Sequence, residues 1–222
     1  MLACAGLTKT YPTERGEIEA IRDIDLVIPA GEFAAVVGRS GSGKSSLMAA
    51  IGGLSRPSSG TVELDDVDVW GLPNREIARF RNRRIGFVFQ FASLLPALRI
   101  VDNVALPGLL RGHLAPRDAY QAAWDLLVGF GLGHCLDAYP QEVSAGEQRR
   151  AAIARALVNA PPLLLADEPT SDLDEQTEIE IIDELRRLNR TRRMTVVMVT
   201  HNLRLAEVAD RVIHIAGGRL VR

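Results

Sequence analysis

Short, nearly continuous apolar stretches recur along the chain and predict strands that are buried on both faces. Four of these stretches are Phe33 to Val37, Ile85 to Phe89, Leu163 to Ala166 and Met194 to Thr200. A polar or glycine-rich turn and then a helical pattern follow, for example from Gln176 to Asn189. This alternation predicts βα units and a layered α/β fold with a parallel-sheet core.

A looser alternation of apolar and polar positions marks the first thirty residues and residues 60 to 69. Leu7 to Tyr11 and Ile21 to Ile28 flank the polar run from Glu14 to Glu17. This pattern predicts antiparallel strands joined by an exposed loop. We therefore expect an antiparallel β subdomain beside the parallel core.

Helical patterning dominates from about residue 91 to residue 160. Pro116 lies near the predicted start of one helix, and another helix is predicted from about Gly146 to Asn159. The pattern predicts a helical subdomain inserted into the sheet-forming part of the chain.

The composition fits one globular domain that carries an insertion. The chain has 222 residues, of which 47% are apolar and 24% charged, and these values exclude global disorder. We expect a single domain, 1–222. Residues 1–90 and 161–222 then form the β subdomain and core, and residues from about 91 to 160 form the helical subdomain.

The charge balance and the apolar runs exclude two classes of protein. Lys and Arg number 26 against 28 Asp and Glu, so the net charge of −2 lacks the basic excess typical of nucleic-acid binders. No apolar run approaches the roughly 18 residues that a membrane-spanning helix needs. Cys4 and Cys135 are too few for a disulfide framework, and we expect free buried thiols in the cytoplasm.

The segment from Gly38 to Ser45 fits the phosphate-loop pattern G-x-x-x-x-G-K-[ST]. It follows the apolar run ending at Val37 and precedes a helical pattern, which is the context that such a loop requires. Glycines let the backbone N–H groups point inward at phosphates, and Lys44 adds a positive charge. The alternative is a flexible Gly/Ser turn.

A second motif, which is acidic, narrows the classes of phosphate-binding protein that fit the chain. The apolar run Leu163 to Ala166 ends in Asp167 and Glu168. Asp167 is expected at the carboxyl edge of the sheet, where it could hold Mg²⁺. Glu168 could orient or deprotonate an attacking water. The alternative is a solvated turn before Pro169.

The segment from Val143 to Arg150, with the sequence V-S-A-G-E-Q-R-R, resembles the signature motif of ATP-binding cassette (ABC) ATPases. Other motifs of that family follow in order along almost the whole chain. The long loop before Ile21, the strand ending at Gln90 and the stretch from Val101 to Val104 are most similar to the lipoprotein-release and macrolide-efflux branch.

This resemblance implies a P-loop NTPase fold of the ABC type with a RecA-like core, and it implies ATP and Mg²⁺ as ligands. The residues implied to bind ATP are Tyr11, Gly38, Ser40, Gly41, Ser42, Gly43, Lys44, Ser45, Ser46, Ser144 and Gly146. Those implied in catalysis are Lys44, Gln90, Glu168 and His201, and those implied to hold the metal are Ser45, Gln90 and Asp167. Tyr11 would stack on adenine.

The resemblance also implies a homodimer, or a pair with another ABC subunit, in which the helix start at Ser144 and Gly146 faces the ATP of the other subunit, so that hydrolysis requires pairing. Ala145 replaces the first glycine of the signature, and Val143 replaces its leading leucine. The added methyl group is expected to loosen the closed dimer. Asp172 places an acid in the segment from Ser171 to Asp174.

The implied partner is a separately encoded integral membrane subunit, which would hold the chain at the inner face of the cell membrane. Part of the apolar stretch between Phe91 and Val104 is expected either to form a groove for that subunit or to lie in the core. The alternatives for function are a non-transport ABC ATPase in repair or translation and a nucleotide-gated regulatory module with weak hydrolysis.

Overall fold

The computed structural model describes residues 1–14, 16–111 and 115–221. Its strands are β1 (Leu2–Thr13), β2 (Gly16–Ile28), β3 (Phe33–Val37), β4 (Ser59–Leu64), β5 (Val67–Asp68), β6 (Ile85–Val88), β7 (Leu163–Asp167), β8 (Thr195–Thr200), β9 (Arg211–Ala216) and β10 (Arg219–Val221). Its α-helices are α1 (Lys44–Ile51), α2 (Asn74–Arg84), α3 (Ile100–Leu110), α4 (Pro116–Gly129), α5 (Ala145–Leu157), α6 (Glu175–Arg192) and α7 (Leu203–Ala206).

The core sheet has the strand order β10-β9-β3-β8-β7-β6, and only β10 runs antiparallel to its neighbour. Every residue of β3 and β8 is buried, as the continuous apolar runs predict. Because β3, β7 and β8 are parallel, their carboxyl ends meet at one edge of the sheet. The predicted parallel core is therefore confirmed.

Each face of the core sheet has its own hydrophobic cluster. Phe33, Ala35 and Val37 point to the cluster that includes α3, α4 and α5. Ala34 and Val36 point to the opposite cluster, which includes α1 and the antiparallel sheet. Because successive side chains of β3 point to opposite faces, this central sheet packs against both outer layers.

The antiparallel sheet has the strand order β2-β1-β4-β5. Its first hairpin is longer than predicted, because pairing continues to Thr13 and Gly16, and Glu17 pairs with Pro12. The predicted loop from Glu14 to Glu17 is therefore wrong for its last two residues, while Arg15 lies outside the described residues. Both strands are solvent-exposed there, so their polar side chains gave a loop-like pattern.

The helical part begins later than the sequence predicts, since α3 starts at Ile100. Ile100 and Val104 are buried in the core, whereas 68% of Phe91 and 45% of Leu95 are exposed. The apolar stretch after β6 therefore divides into a core part and an exposed part, and its role in docking stays a prediction. Among the described residues, none of the helices has the length and apolarity that crossing a membrane requires.

Candidate functional site

The loop between β3 and α1 approaches neighbouring backbone so closely that side chains are excluded at two glycines. A Cβ on Gly43 would lie 2.1 Å from the carbonyl oxygen of Ala20, and the φ of Gly43 is +105°. A Cβ on Gly38 would lie 2.3 Å from the carbonyl oxygen of Ile215. No side chain caps the first turn of α1, so its N–H groups remain available to an anion.

Two polar side chains of this loop, those of Lys44 and Ser42, are buried. Lys44 is buried, and its Nζ donates hydrogen bonds to the carbonyl oxygens of Gly38 at 2.8 Å and Arg39 at 3.0 Å. The hydroxyl of Ser42 is buried and has no partner within the described part of the chain. Curled backbone, a buried ammonium and a helix start together form an anion cradle.

Asp167 ends β7 beside this cradle. The Ser45 hydroxyl forms a hydrogen bond with its carboxylate. Burial raises the pKa of Asp167 above its ordinary value and Glu168 adds to that effect, while Ser45 and Lys44 oppose it. The paired hydroxyl and carboxylate are hard oxygen donors of the kind that Mg²⁺ prefers.

Glu168 has a left-handed backbone conformation, with φ +46°, and its N–H donates to the carbonyl oxygen of Val199 at 2.9 Å. One of its carboxylate oxygens lies 3.3 Å from Nδ1 of His201, the residue that follows β8. The ends of β7 and β8 thus bring an acid and an imidazole together, although 33 positions separate them in sequence.

These elements surround a cavity of about 560 Å³. Its lining consists of Tyr11, Ala20, Ser40, Gly41, Gly43, Lys44, Ser45, Ser46, Gln90, Glu168 and His201. Gly38 and Ser42 line an adjoining cavity on the other side of the loop. The two signature residues, Ser144 and Gly146, contribute to neither cavity, so the predicted site residues fall into two separate groups within one chain.

Tyr11 contributes the aromatic edge of the cavity. Its side chain is 36% exposed, and Nζ of Lys9 lies 4.9 Å from the ring centroid. Partial burial raises the pKa of Tyr11, but hydrogen bonds with Ser46 and Ser55 and the charge of Lys9 outweigh it, so the pKa lies below its ordinary value. Lys9 therefore lies over the face of this ring at the edge of the cavity.

Gln90 lies two residues beyond the end of β6 rather than at its end. A buried arginine of α5 holds its backbone: Arg149 donates from Nη1 to the carbonyl oxygen of Phe89 at 2.7 Å and from Nη2 to that of Gln90 at 2.6 Å. Ser171 donates its hydroxyl to the same Gln90 oxygen at 3.1 Å. Sequence reasoning missed Arg149, whose only signal is its charge beside an apolar helical run.

The signature segment forms the start of α5 as a capping box. Oγ of Ser144 accepts a hydrogen bond from the N–H of Glu147 at 3.3 Å, and a Glu147 oxygen accepts from the Ser144 N–H at 2.8 Å. Hydrogen bonds from the Ser144 hydroxyl, the Ser144 backbone and His134 hold the pKa of Glu147 at about 2. Ala145, which is exposed, is the first residue of the helix.

A sequence profile described as "ABC transporter" matches residues 21–171. The chain belongs to the ABC transporter family. It is 46% identical over 220 residues to the lipoprotein-releasing system ATP-binding protein LolD of Syntrophotalea carbinolica, covering 99% of this chain and 96% of that protein. It is 44% identical to the macrolide export ATP-binding/permease protein MacB of Rhodopirellula baltica, of which it spans 32%.

Solved structures agree with the sequence relatives. A dimeric, post-hydrolysis structure of the ATP-binding cassette MJ0796 with ADP and Pi has a TM-score of 0.93 and 37% identity, covering 100% of this chain and 97% of that one. CbiO1 of Clostridium perfringens, part of a CbiONQ ABC transporter complex, has a TM-score of 0.86 and 28% identity, covering 100% of this chain and 86% of that one. The predicted ABC fold class and family branch are confirmed, and the chain is an ATPase of this family.

Proposed function

We propose that this cassette hydrolyses ATP as one half of a homodimer and thereby powers a separate integral membrane subunit in lipoprotein release or a related export process. The observation that carries the proposal is the single cavity in which the glycine loop, Gln90, Glu168 and His201 meet. The LolD-like relatives, matched over nearly their full length, support the choice of process.

The phosphate loop would bind the triphosphate. Lys44 supplies a positive charge from inside the loop, and the uncapped start of α1 supplies N–H donors. Tyr11, at the edge of the cavity, would stack on adenine, which contributes about 1–3 kcal/mol in base–aromatic pairs elsewhere. Ser40, Gly41 and Ser46 complete the lining around the phosphates.

Mg²⁺ would be held by the Ser45 hydroxyl, the Asp167 carboxylate and the Gln90 amide oxygen. The first two already form a hydrogen bond, and all three offer oxygen ligands. The ion would neutralise negative charge on the β- and γ-phosphates.

Glu168 would receive a proton from the attacking water. Its carboxylate faces the cavity and contacts the imidazole of His201, which restricts its orientation. Glu168 lines the cavity, whereas Asp167 is not among its lining residues. In this assignment the Asp167 carboxylate binds the metal, and the Glu168 carboxylate accepts the proton of the water.

The second half of the site would come from another copy. Ser144 and Gly146 lie outside the cavity of their own chain, at a helix start that is exposed to solvent at Ser144 and Ala145. A two-fold arrangement would place this helix start against the ATP of the other copy and close two sites at one interface.

Glu168→Gln tests the assignment most directly. We expect ATP binding to persist, turnover to fall by about 10²–10⁴-fold, and an ATP-dependent dimer to accumulate. Phosphate release and size-exclusion chromatography with Mg-ATP measure these outcomes. Glu207→Gln, at an exposed acid outside the cavity, is the control. Unchanged turnover in Glu168→Gln contradicts the role of Glu168, and the absence of any dimer contradicts the paired site.

The membrane assignment has its own test. Affinity purification of the chain from membranes solubilised in detergent should recover an integral membrane protein with a large extracytoplasmic domain, which would place the cassette at the cytoplasmic face. Recovery of nucleic acid instead would favour the non-transport alternative. Absence of steady-state phosphate release from the complex would favour the regulatory module.

A further inference from the structure

Three different donor side chains converge beside the start of α5. A ring nitrogen of His134, Sγ of Cys135 and a carboxylate oxygen of Glu147 all lie within 4.8 Å of one another. Nε2 of His134 and Oε1 of Glu147 are 2.8 Å apart. Across residues 1–14, 16–111 and 115–221, this is the one group of three His, Cys, Asp or Glu side chains with such geometry.

Local backbone turns hold the two loop donors in place. The segment after α4 is folded by hydrogen bonds from the Leu132 N–H to the Leu127 carbonyl at 2.7 Å and from the Cys135 N–H to the Leu132 carbonyl at 3.2 Å. The Ala138 N–H in turn donates to the Cys135 carbonyl at 3.1 Å. His134 and Cys135 therefore approach the helix from a tight, hydrogen-bonded turn, which reduces the ordering cost of binding a ligand.

The two oxygens of Glu147 have separate partners. Oε2 accepts hydrogen bonds from the Ser144 N–H at 2.8 Å and from the Ser144 hydroxyl at 2.7 Å, whereas Oε1 faces His134. A cation could therefore bind Oε1 while Oε2 continues to cap the helix.

The donor set determines which cation would bind. A thiolate, an imidazole and one carboxylate oxygen suit Zn²⁺, which is commonly held by three protein ligands with water in the fourth position. Mg²⁺ and Ca²⁺ prefer sites made of oxygen atoms alone. The His134 side chain is 65% exposed and gives access from solvent, while Cys135 supplies a buried sulfur.

We propose that His134, Cys135 and Glu147 form a Zn²⁺ site that joins the turn after α4 to the start of the signature helix. On binding, the Cys135 thiol loses its proton to solvent, and its hydrogen bond to the Leu132 carbonyl is replaced by a sulfur–zinc bond. The proton on Nε2 of His134, which faces the Glu147 carboxylate, moves to Nδ1, so that Nε2 and the freed Glu147 oxygen exchange their mutual contact for bonds to the metal. The site is separate from the ATP cavity and does not depend on hydrolysis.

Co²⁺ titration of the full chain, freed of metal by a chelator, tests the site. We expect the near-ultraviolet absorption of a thiolate–Co²⁺ bond together with visible bands of a tetrahedral ion, and we expect Zn²⁺ to displace both. Cys135→Ser should lose the thiolate band. Cys4→Ser should retain it, because Cys4, the other free and buried cysteine, lies in β1.

Two further variants keep the proposal testable if Cys135→Ser does not fold. His134→Gln changes an exposed side chain and should weaken Zn²⁺ binding by about 10-fold or more, and Glu147→Gln should do the same. Zn²⁺ should also raise the Tm of the unaltered chain but not that of His134→Gln. Absence of the thiolate band, its survival in Cys135→Ser, or unchanged Zn²⁺ affinity in His134→Gln would overturn the site.

Discussion

The two helix starts of the candidate site, at α1 and α5, are built in opposite ways. The start of α1 follows Gly43, has no side-chain cap and carries the buried ammonium of Lys44. The start of α5 is closed by a reciprocal Ser144–Glu147 capping box and carries a carboxylate whose pKa is about 2. One start is open and cationic, and the other is satisfied internally and anionic.

This difference indicates an order of events at the site. Anion binding at α1 requires no rearrangement of side-chain caps, because its first N–H groups have none. At α5 the N–H of Glu147 already donates to Ser144 Oγ, the N–H of Ser144 already donates to Glu147, and an approaching phosphate also meets the negative charge of Glu147. The chain alone should therefore bind ATP through the phosphate loop first, and closure of the dimer should depend on nucleotide already held there.

The largest loss of unfolding free energy should come from adding a side chain at Gly43, at the uncapped start of α1. Gly43→Ala places a Cβ against the Ala20 carbonyl and forces a left-handed backbone, so we expect a loss of about 3 kcal/mol or more in unfolding free energy, together with loss of ATP binding. Gly41→Ala is the matched control, since its φ is also positive but its Cβ has open space. It should lose only about 1–2 kcal/mol. Equal urea midpoints for the two variants would contradict this account.

A smaller effect should come from releasing the capped helix from the loop after β6. Arg149→Met removes the buried guanidinium that donates to the Phe89 carbonyl, and we expect a loss of about 1–3 kcal/mol in unfolding free energy and a lower ATPase rate. Arg150→Met is the neighbouring control, because Arg150 pairs with Glu180 at 3.6 Å on the surface. It should lose at most about 1 kcal/mol. If both variants behave alike, Arg149 does not fix the position of Gln90.

Two substitutions of Ser144 distinguish its role as the cap of α5 from a role in binding the phosphate of the other copy. Ser144→Ala removes the cap and should lose about 1 kcal/mol of unfolding free energy. Ser144→Asp keeps an acceptor for the Glu147 N–H but sets a second carboxylate against Glu147, so it should lose a similar amount of unfolding free energy while weakening ATP-dependent pairing more than Ser144→Ala does. Thermal unfolding and chromatography in the Glu168→Gln background measure the two properties. Normal pairing by Ser144→Asp would remove this helix start from the ATP interface.

The smallest change in unfolding free energy should follow from removing the negative charge of Glu147 at the start of α5. Glu147→Gln preserves the capping box, since Gln also serves at that position, and should change unfolding free energy by only about 0.3–1 kcal/mol. Removing the carboxylate should make dimer formation require less ATP. An ATP titration of dimerisation, again with Glu168→Gln present, measures this shift. A higher ATP requirement would show that the Glu147 charge assists pairing.

Local sequence patterns were enough to predict the unit formed by β3, the glycine loop and α1. The buried run Phe33–Val37, the glycine loop and the helix follow one another in sequence, so the order of residue types specifies the unit. The parallel sheet followed from similar runs, and Asp167 and Glu168 were placed at its edge because strands of one direction end together. Continuous apolar stretches leave little ambiguity about burial.

Features that depend on distant contacts were missed. The full hairpin between β1 and β2 was hidden because its exposed end is polar, and the contacts of Arg149 with the Phe89 and Gln90 carbonyls join segments about 60 positions apart. The left-handed backbone of Glu168 has no signal in a non-glycine residue. Sequence patterns predict elements well, whereas the orientation of side chains between elements requires the folded chain.

The guanidinium of Arg149 has a consequence for motion within the cassette. It holds the Phe89 and Gln90 carbonyls at 2.7 and 2.6 Å, and the Ser171 carbonyl lies 3.4 Å from the same group. Three chain segments thereby meet at one buried guanidinium, so we expect a shift of α5 to move the Gln90 backbone beside the ATP cavity. By the same contacts, a rearrangement around bound nucleotide should shift α5.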